Sequence, residues 1–93
     1  MGLETKEKKH LKSLANRLKP EVWIGKAGLT DGIIETAGNS LRTKELIKVK
    51  VLPGCEMDKK EAAAEMAEKL DAEVVQVLGN IILLYRKLPE DQE

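Results

Sequence analysis

Hydrophobic residues in three segments of the chain recur with the i, i+3, i+4, i+7 spacing of one helix face. The first segment covers residues 4–18, and the second begins at Thr30 or Asp31, either of which can cap a helix. The third begins at Asp58, which opens a spacing similar to a capping box. The apolar positions are Leu11, Leu14, Ala15 and Leu18; Ile33, Ile34, Ala37 and Leu41; and Ala62, Ala63, Met66, Ala67 and Leu70. We predict three helices.

Between these helices the periodicity changes to that of strands. Residues 21–24, with the apolar side chains Val22, Trp23 and Ile24, form a short strand candidate, and residues 45–52 alternate cleanly between apolar and polar types. In the second segment Ile47, Val49 and Val51 point one way, and Lys48 and Lys50 point the other. The alternation predicts a strand with one buried face.

Two further strand candidates follow at residues 72–78 and 81–87. The two-residue link Gly79-Asn80 between them is typical of a hairpin, so we expect an antiparallel pair. The order of elements is therefore α-β-α-β-α-β-β. It predicts an α/β fold with a four-stranded mixed sheet packed with helices.

The length of 93 residues favours one domain over residues 1–93. We expect its core at about 11–87 and a frayed polar tail at 88–93. The longest apolar run, residues 81–85, is too short to cross a bilayer, and the N-terminus lacks the apolar region of a secretory signal. These features predict a cytoplasmic protein that does not use a membrane as a partner.

Residues that commonly carry catalysis or metal binding are scarce. Cys55 is the one cysteine and His10 the one histidine, which excludes an internal disulfide and a cysteine-based zinc site. We predict no metal and no cofactor. A small phosphoester-binding enzyme is a weak alternative, because no acid, base and nucleophile stand at useful spacings. We therefore expect neither catalytic residues nor a small-molecule substrate.

The net charge of zero conceals an asymmetry between the two halves of the chain. Residues 1–55 have a net charge of +5, with 11 Lys and Arg against 6 Asp and Glu. Residues 56–93 have a net charge of −5, with 5 Lys and Arg against 10 Asp and Glu. The pattern fits a basic working face with an acidic back, and equally a mixed solvated surface.

The tetrapeptide Gly25-Lys26-Ala27-Gly28 joins the first strand candidate to the second helix. A helix N-terminus offers free N–H groups and a partial positive charge, and small residues let a phosphate approach the backbone. The spacing is neither that of a Walker A loop nor that of a dinucleotide fingerprint. It shares GxxG with KH domains, whose loop joins two helices rather than a strand and a helix. By itself the spacing leaves a plain turn and a phosphate-binding loop both open.

Several motifs in order extend this observation over nearly the whole chain. "LKPEVWIGKAGLTDGII", then "ELIKVKVL", then "AEVVQVLGNIILLYRK" together span residues 18–87. The chain resembles the CRM domain (chloroplast RNA splicing and ribosome maturation), and in particular its stand-alone YhbY-like members. The match begins at about Leu11, and the fold of that family is the α-β-α-β-α-β-β arrangement.

The resemblance implies that the protein binds RNA. Stand-alone members are associated with precursors of the large ribosomal subunit, and multi-domain plant relatives assist intron splicing. By resemblance, the RNA-binding surface is Gly25, Lys26, Ala27 and Gly28 with neighbouring basic residues. Many members have a second basic or polar residue where this chain has Ala27, which predicts weaker affinity with the same binding mode.

Four further cations are candidates for this surface. Lys12, Arg17 and Lys19 lie on or just after the first helix, and Lys48 lies on the second strand. A helical lysine most often belongs to a solvated face, and a strand lysine to a solvated edge. Their presence in the same half of the chain as the loop makes RNA contact an equal alternative for Lys12, Arg17 and Lys19, whereas Lys48 by itself slightly favours the solvated or helix-covered position. The predicted partner is ribosomal RNA of large-subunit precursors, bound by a monomer.

Two side chains near these motifs have open roles. Trp23 could stack on a base, but a lone tryptophan in an apolar strand is more often part of the core, and we expect it there. Arg86 could reach phosphate or pair with an acid. An alternative function is a protein-interaction adaptor in ribosome biogenesis, in which the acidic third helix docks a basic ribosomal protein. Its acidic residues are Glu61, Glu65 and Glu68.

Overall fold

A computed structural model describes residues 5–87 of the chain. Its elements are α1 (Thr5–Ala15), β1 (Val22–Ile24), α2 (Asp31–Lys44), β2 (Leu46–Val51), α3 (Lys59–Leu70), β3 (Glu73–Leu78) and β4 (Ile81–Tyr85). The predicted α/β class and the predicted order of elements are confirmed. The predicted polar tail at 88–93 lies outside the described residues.

The four strands form one mixed sheet in the order β1-β2-β4-β3. Strand β1 pairs with β2 in parallel, and β4 lies antiparallel to both β2 and β3. The parallel pair needs a crossover, which α2 supplies, and the predicted hairpin joins β3 to β4. Strand β3 contains a register shift between Val74 and Gln76, so Val75 is an extra residue in that strand.

Helices cover the sheet on both faces. On one face α2 and α3 pack against the larger core cluster, in which Ile24, Leu41, Ile47, Met66 and Ile82 are fully buried. On the other face α1 packs alone. Its smaller cluster consists of Leu11, Ala15, Leu46, Val75 and Leu83. Alternation along β2 explains the division, since Ile47, Val49 and Val51 face α2 and α3 as predicted.

The helix N-termini follow the predicted capping residues. Thr30 caps α2, and its side-chain oxygen accepts a hydrogen bond from the N–H of Ile33 at 3.2 Å. Asp58 caps α3 and accepts from the N–H groups of Lys60 and Glu61. Each bond satisfies a donor that the helix itself leaves without an acceptor.

The first helix is shorter than predicted. It ends at Ala15. Tighter backbone hydrogen bonds, each from an N–H to the carbonyl three residues earlier, continue the turn, and the last of them joins the N–H of Leu18 to the carbonyl of Ala15. Leu14 was expected on the buried face but is 43% exposed, because Leu11 and Ala15 occupy the contact with the sheet. On this sheet face the exposed residues are Trp23, Lys50 and Leu78 among those that the structure describes.

Gly38 and Arg86 join α2 to α3 and to the end of the sheet. A β-carbon added at Gly38 would lie 3.3 Å from Cδ2 of Leu70, so the close approach is to α3 rather than to the sheet. Arg86 donates to the carbonyl of Leu70 at 2.8 Å and to that of Gly38 at 3.5 Å. These bonds give Arg86 a structural role.

Candidate functional site

The Gly-Lys-Ala-Gly segment forms a tight turn between β1 and α2. The N–H of Gly28 donates to the carbonyl of Gly25 at 3.0 Å, which leaves Lys26 and Ala27 at the exposed tip. Gly28 has φ of +75°, a conformation that L residues rarely adopt. A β-carbon at Gly25 would make only an ordinary contact, 3.9 Å from Cδ1 of Leu52. Backbone conformation therefore requires glycine at Gly28 but not at Gly25.

The N-terminus of α2 follows this turn after two residues. Thr30 accepts the N–H of Ile33, while the N–H groups of Asp31 and Gly32 have no acceptor within the helix. Asp31 is exposed in the first helical turn. Its carboxylate interacts favourably with the positive end of the helix dipole, and it therefore competes with any bound anion for that partial positive charge.

Lys12 and Lys48 meet in a groove between α1 and the sheet. The groove has a volume of about 490 Å³, and Lys9 also lines it. The ammonium of Lys48 donates to the carbonyl of Leu18 at 3.0 Å, which fixes the lysine against the α1–β1 connection. An ammonium has three donors, so Lys48 has further donors for a ligand.

Arg17 and Lys19 lie in the connection that leads from α1 into β1, and both are exposed. The Gly25–Gly28 turn follows the opposite end of β1. The eight residues predicted for the site therefore divide into two regions. The exposed turn follows one end of β1, and the Lys12–Lys48 groove and the basic connection lie together before the other end, joined by the bond from Lys48 to Leu18.

Within residues 5–87, no group of three or more His, Cys, Asp and Glu side chains is arranged to hold a metal ion. No helix in that range has the length and apolar character needed to span a membrane.

The sequence profile of the family described as CRS1 / YhbY (CRM) domain matches residues 3–86. The match covers nearly the whole chain, including the turn, the groove and the four strands. The chain belongs to the CRM domain family. The predicted resemblance is thus confirmed.

Relatives of this CRM domain include short proteins of bacteria. "Probable RNA-binding protein YqeI" of Bacillus subtilis is 37% identical over 91 residues, covering 98% of this chain and 95% of the relative. A protein named "RNA-binding protein" from Haemophilus influenzae is 40% identical over 88 residues, covering 95% and 89%. The solution structure of the hypothetical protein SAV1595 from Staphylococcus aureus has a TM-score of 0.81 and 40% identity. The structural match covers 97% of this chain and 94% of the Staphylococcus aureus chain.

The expectation that Trp23 belongs to the core of this CRM domain is wrong. Its neighbours Val22 and Ile24 are buried beneath α2 and α3, so Trp23 points to the opposite face, where it is 50% exposed. Strand alternation alone could have indicated this, because the two aliphatic neighbours must share one face. The apolar composition of the three-residue strand concealed the signal.

Glu21 and Lys44 form an ion pair between the start of β1 and the end of α2, with 2.7 Å between Nζ and Oε2. Burial raises the pKa of Glu21, but hydrogen bonds from Lys44 and Ser40 and the charge of Lys44 together outweigh it. The pKa of Glu21 therefore lies below its ordinary value. The pair fixes the edge strand to α2.

The acidic residues of the alternative interface lie on the side of α3 away from the sheet. Glu61 and Glu68 are exposed, and Glu65 is half-buried beside the exposed Ala64. Together with Lys69 they line a shallow depression. The CRM domain thus presents an acidic surface on α3 and a basic groove beside α1, on opposite faces of its sheet.

Proposed function

We propose that this protein binds ribosomal RNA of large-subunit precursors and assists ribosome assembly in the cytoplasm. The observation that carries the proposal is membership of a family in which similar proteins of matching length are named as RNA-binding proteins. The second support is the exposed Lys26 at the tip of a glycine turn, four residues before Thr30, the N-cap of α2. The protein acts as a monomer without catalytic residues or a cofactor.

In the proposed complex, a phosphate lies against the Gly25–Gly28 turn. Lys26 supplies a point charge, and the N–H groups at the start of α2 supply donors. Gly25 adds no side chain on the approach path, and a β-carbon there would lie in ordinary contact with Leu52, at 3.9 Å from its Cδ1. The helix dipole and the lysine act in the same direction, and Asp31 partly opposes them.

The remaining candidate cations extend the attraction along the chain of phosphates. Lys12 and Lys48 lie in the groove, and Arg17 and Lys19 lie at the far end of β1. Each phosphate contact on single-stranded RNA contributes about −0.7 to the slope of log affinity against log salt. Because phosphate contacts position a ligand without specifying its sequence, we expect low sequence specificity from these residues alone.

The experiment is sedimentation of a cell extract through a sucrose gradient, with immunodetection of the protein. We expect enrichment with immature large subunits and loss of that enrichment for Lys26→Glu. A protein that stays in the RNA-free fractions at the top would overturn the proposal.

The same gradient distinguishes the adaptor function that the acidic surface of α3 suggests. Reversal of Glu61, Glu65 and Glu68 to lysine removes that surface while leaving the turn intact. If the protein is an adaptor, the triple variant leaves the precursor fractions while its affinity for naked RNA is unchanged. Under the RNA-binding proposal, the triple variant stays with the precursors.

A further inference from the structure

One row of side chains crosses all four strands on the α1 face of the sheet. Trp23 is in register with Lys50, Lys50 with Ile81, and Ile81 with Leu78. The next row, formed by Lys48, Leu83 and Gln76, lies within the groove beside α1. The Trp23 row is thus the one nearest to the Gly25–Gly28 turn.

Three of the four side chains in this row are apolar, and two of those three are exposed. Among residues 5–87 the exposed large hydrophobic side chains are Leu14, Trp23 and Leu78, and two of these three belong to the row. Trp23 is 50% exposed and Leu78 is 66% exposed. Helix α1 ends at Ala15, and its buried contacts lie further along the sheet, at Leu46, Val75 and Leu83. Among residues 5–87 the row therefore forms a partly open platform, in which Trp23 and Leu78 are exposed and Ile81 packs against the α1 cluster.

Cations lie in and beside the platform. Lys50 is a member of the row itself, and Lys9, Lys12 and Lys48 line the groove that Leu78 and Ile81 also line. None of the described residues that line the groove is acidic. An exposed apolar strip framed by lysines matches the chemistry of a single-stranded nucleic acid, which offers flat base faces and a chain of negative phosphates.

We propose that unpaired bases of a single-stranded RNA segment stack and pack on the Trp23–Lys50–Ile81–Leu78 row while the Gly25–Gly28 turn holds the adjoining backbone. The inference rests on the proposed RNA-binding function and adds to it the binding of unpaired bases. Trp23 lies two residues before Gly25, so the backbone of Trp23 is about 7 Å along the strand from the start of the turn. One RNA strand can therefore contact both.

The charges on this face disfavour a second copy of the chain as the occupant. A twofold interface places the same surface on both partners, so the lysines of one copy would face those of the other. Like charges across an interface oppose association, whereas a polyanion neutralises them. The charge pattern therefore favours RNA.

The first test uses the fact that Trp23 is the only tryptophan in the chain. A single-stranded oligoadenylate of about 12 nucleotides should quench its fluorescence as it binds. Inorganic polyphosphate, which carries the charge without bases, should bind the cations and leave the fluorescence nearly unchanged. Equal quenching by both probes would overturn the inference.

The second test measures affinity for the same oligoadenylate. Trp23→Thr keeps a residue that suits a strand but removes the ring, and we expect about tenfold weaker binding with an unchanged salt slope. Trp23→Phe should recover most of the affinity. The control Leu14→Gln removes an exposed leucine that does not line the groove and should bind like the wild type.

The outcomes separate this inference from the proposed function. If Trp23→Thr binds like the wild type while Lys26→Glu binds weakly, the base platform is wrong and RNA binding stands. If the wild-type protein binds no single-stranded RNA but sediments with immature large subunits, the base platform is wrong and the proposed function stands; if it does neither, both fail. If Trp23→Thr and Leu78→Gln instead abolish a concentration-dependent dimer in analytical ultracentrifugation, the face is an interface between copies and the inference is overturned.

Discussion

The ammonium of Lys48 donates a hydrogen bond to the backbone carbonyl of Leu18 across 3.0 Å. The two residues are thirty positions apart, and the bond joins the middle of β2 to the segment that leaves α1. The backbone N–H of Glu21 donates to the carbonyl of Lys48 at 3.0 Å, close to the same point. One lysine thus lines the basic groove and also holds the α1–β1 connection in place.

We predict that Lys48→Met affects stability and RNA binding together. The variant loses a hydrogen bond from a charged donor in a half-buried position, so the free energy of unfolding should fall by about 1 kcal/mol. The salt slope of RNA binding should also become shallower by about 0.7. Urea denaturation and a salt series of RNA titrations measure the two effects.

Lys12→Met is the matched control, because Lys12 is exposed and lines the same groove. It should change the salt slope like Lys48→Met and leave stability within about 0.5 kcal/mol of the wild type. Equal stability of the two variants would contradict the structural role of Lys48.

The two glycines of the turn should respond differently to alanine. Gly28→Ala places a β-carbon at φ of +75° and should lower the free energy of unfolding by about 1 kcal/mol. Gly25→Ala meets only an ordinary contact and should leave stability nearly unchanged while weakening RNA binding, because a methyl group then lies on the phosphate's path. Thermal denaturation and RNA titration of both variants check this. Unchanged RNA affinity of Gly25→Ala would show that the phosphate does not approach there.

Arg86→Met should destabilise the fold without altering the RNA surface. The variant loses the charged hydrogen bond to the carbonyl of Leu70 and the longer one to Gly38, and leaves these carbonyls without that donor. We expect a loss of about 2 kcal/mol and a decrease in Tm on the order of 10 °C. RNA affinity measured well below the Tm should match the wild type. A large loss of affinity in the folded variant would instead assign Arg86 to the RNA surface.

The Glu21–Lys44 pair should contribute a small, pH-dependent stabilisation. Because the pKa of Glu21 is lowered by folding, its contribution is present above the ordinary pKa of a glutamate and is lost as the pH falls through the lower folded value. Lys44 is largely exposed, so the contribution at neutral pH should be at most about 1 kcal/mol. The difference in stability between wild type and Glu21→Gln should therefore shrink on acidification below about pH 4. A difference that grows in acid would contradict the sign.

Most of the fold was predictable because the elements have strong local signals. The alternation of Ile47, Val49 and Val51, the capping residues Thr30 and Asp58, and the Gly79-Asn80 link each depend on neighbouring residues. The strand order was not predictable in this way, since it depends on which faces meet in three dimensions.

The site was harder to predict because its geometry comes from packing. The bulge at Val75 turns both Val75 and Gln76 towards α1, which simple alternation does not show. The exposure of Trp23 follows from the packing of α2 and α3 on the face of Val22 and Ile24, which the wholly apolar composition of β1 does not show. The placement of Lys48 near Leu18 likewise follows from a contact between distant parts of the chain.

The most direct test of the account is RNA binding by Lys26→Glu compared with Lys69→Glu over a salt series. Both variants change the net charge equally, but Lys69 lies in the last turn of α3 and lines the acidic depression. That end of α3 leads to the sheet edge opposite the turn. We predict that Lys26→Glu binds a single-stranded oligoribonucleotide about tenfold more weakly, with a slope shallower by about 0.7, while Lys69→Glu behaves like the wild type. Equal affinities and equal slopes for Lys26→Glu and the wild type would contradict the role of the turn.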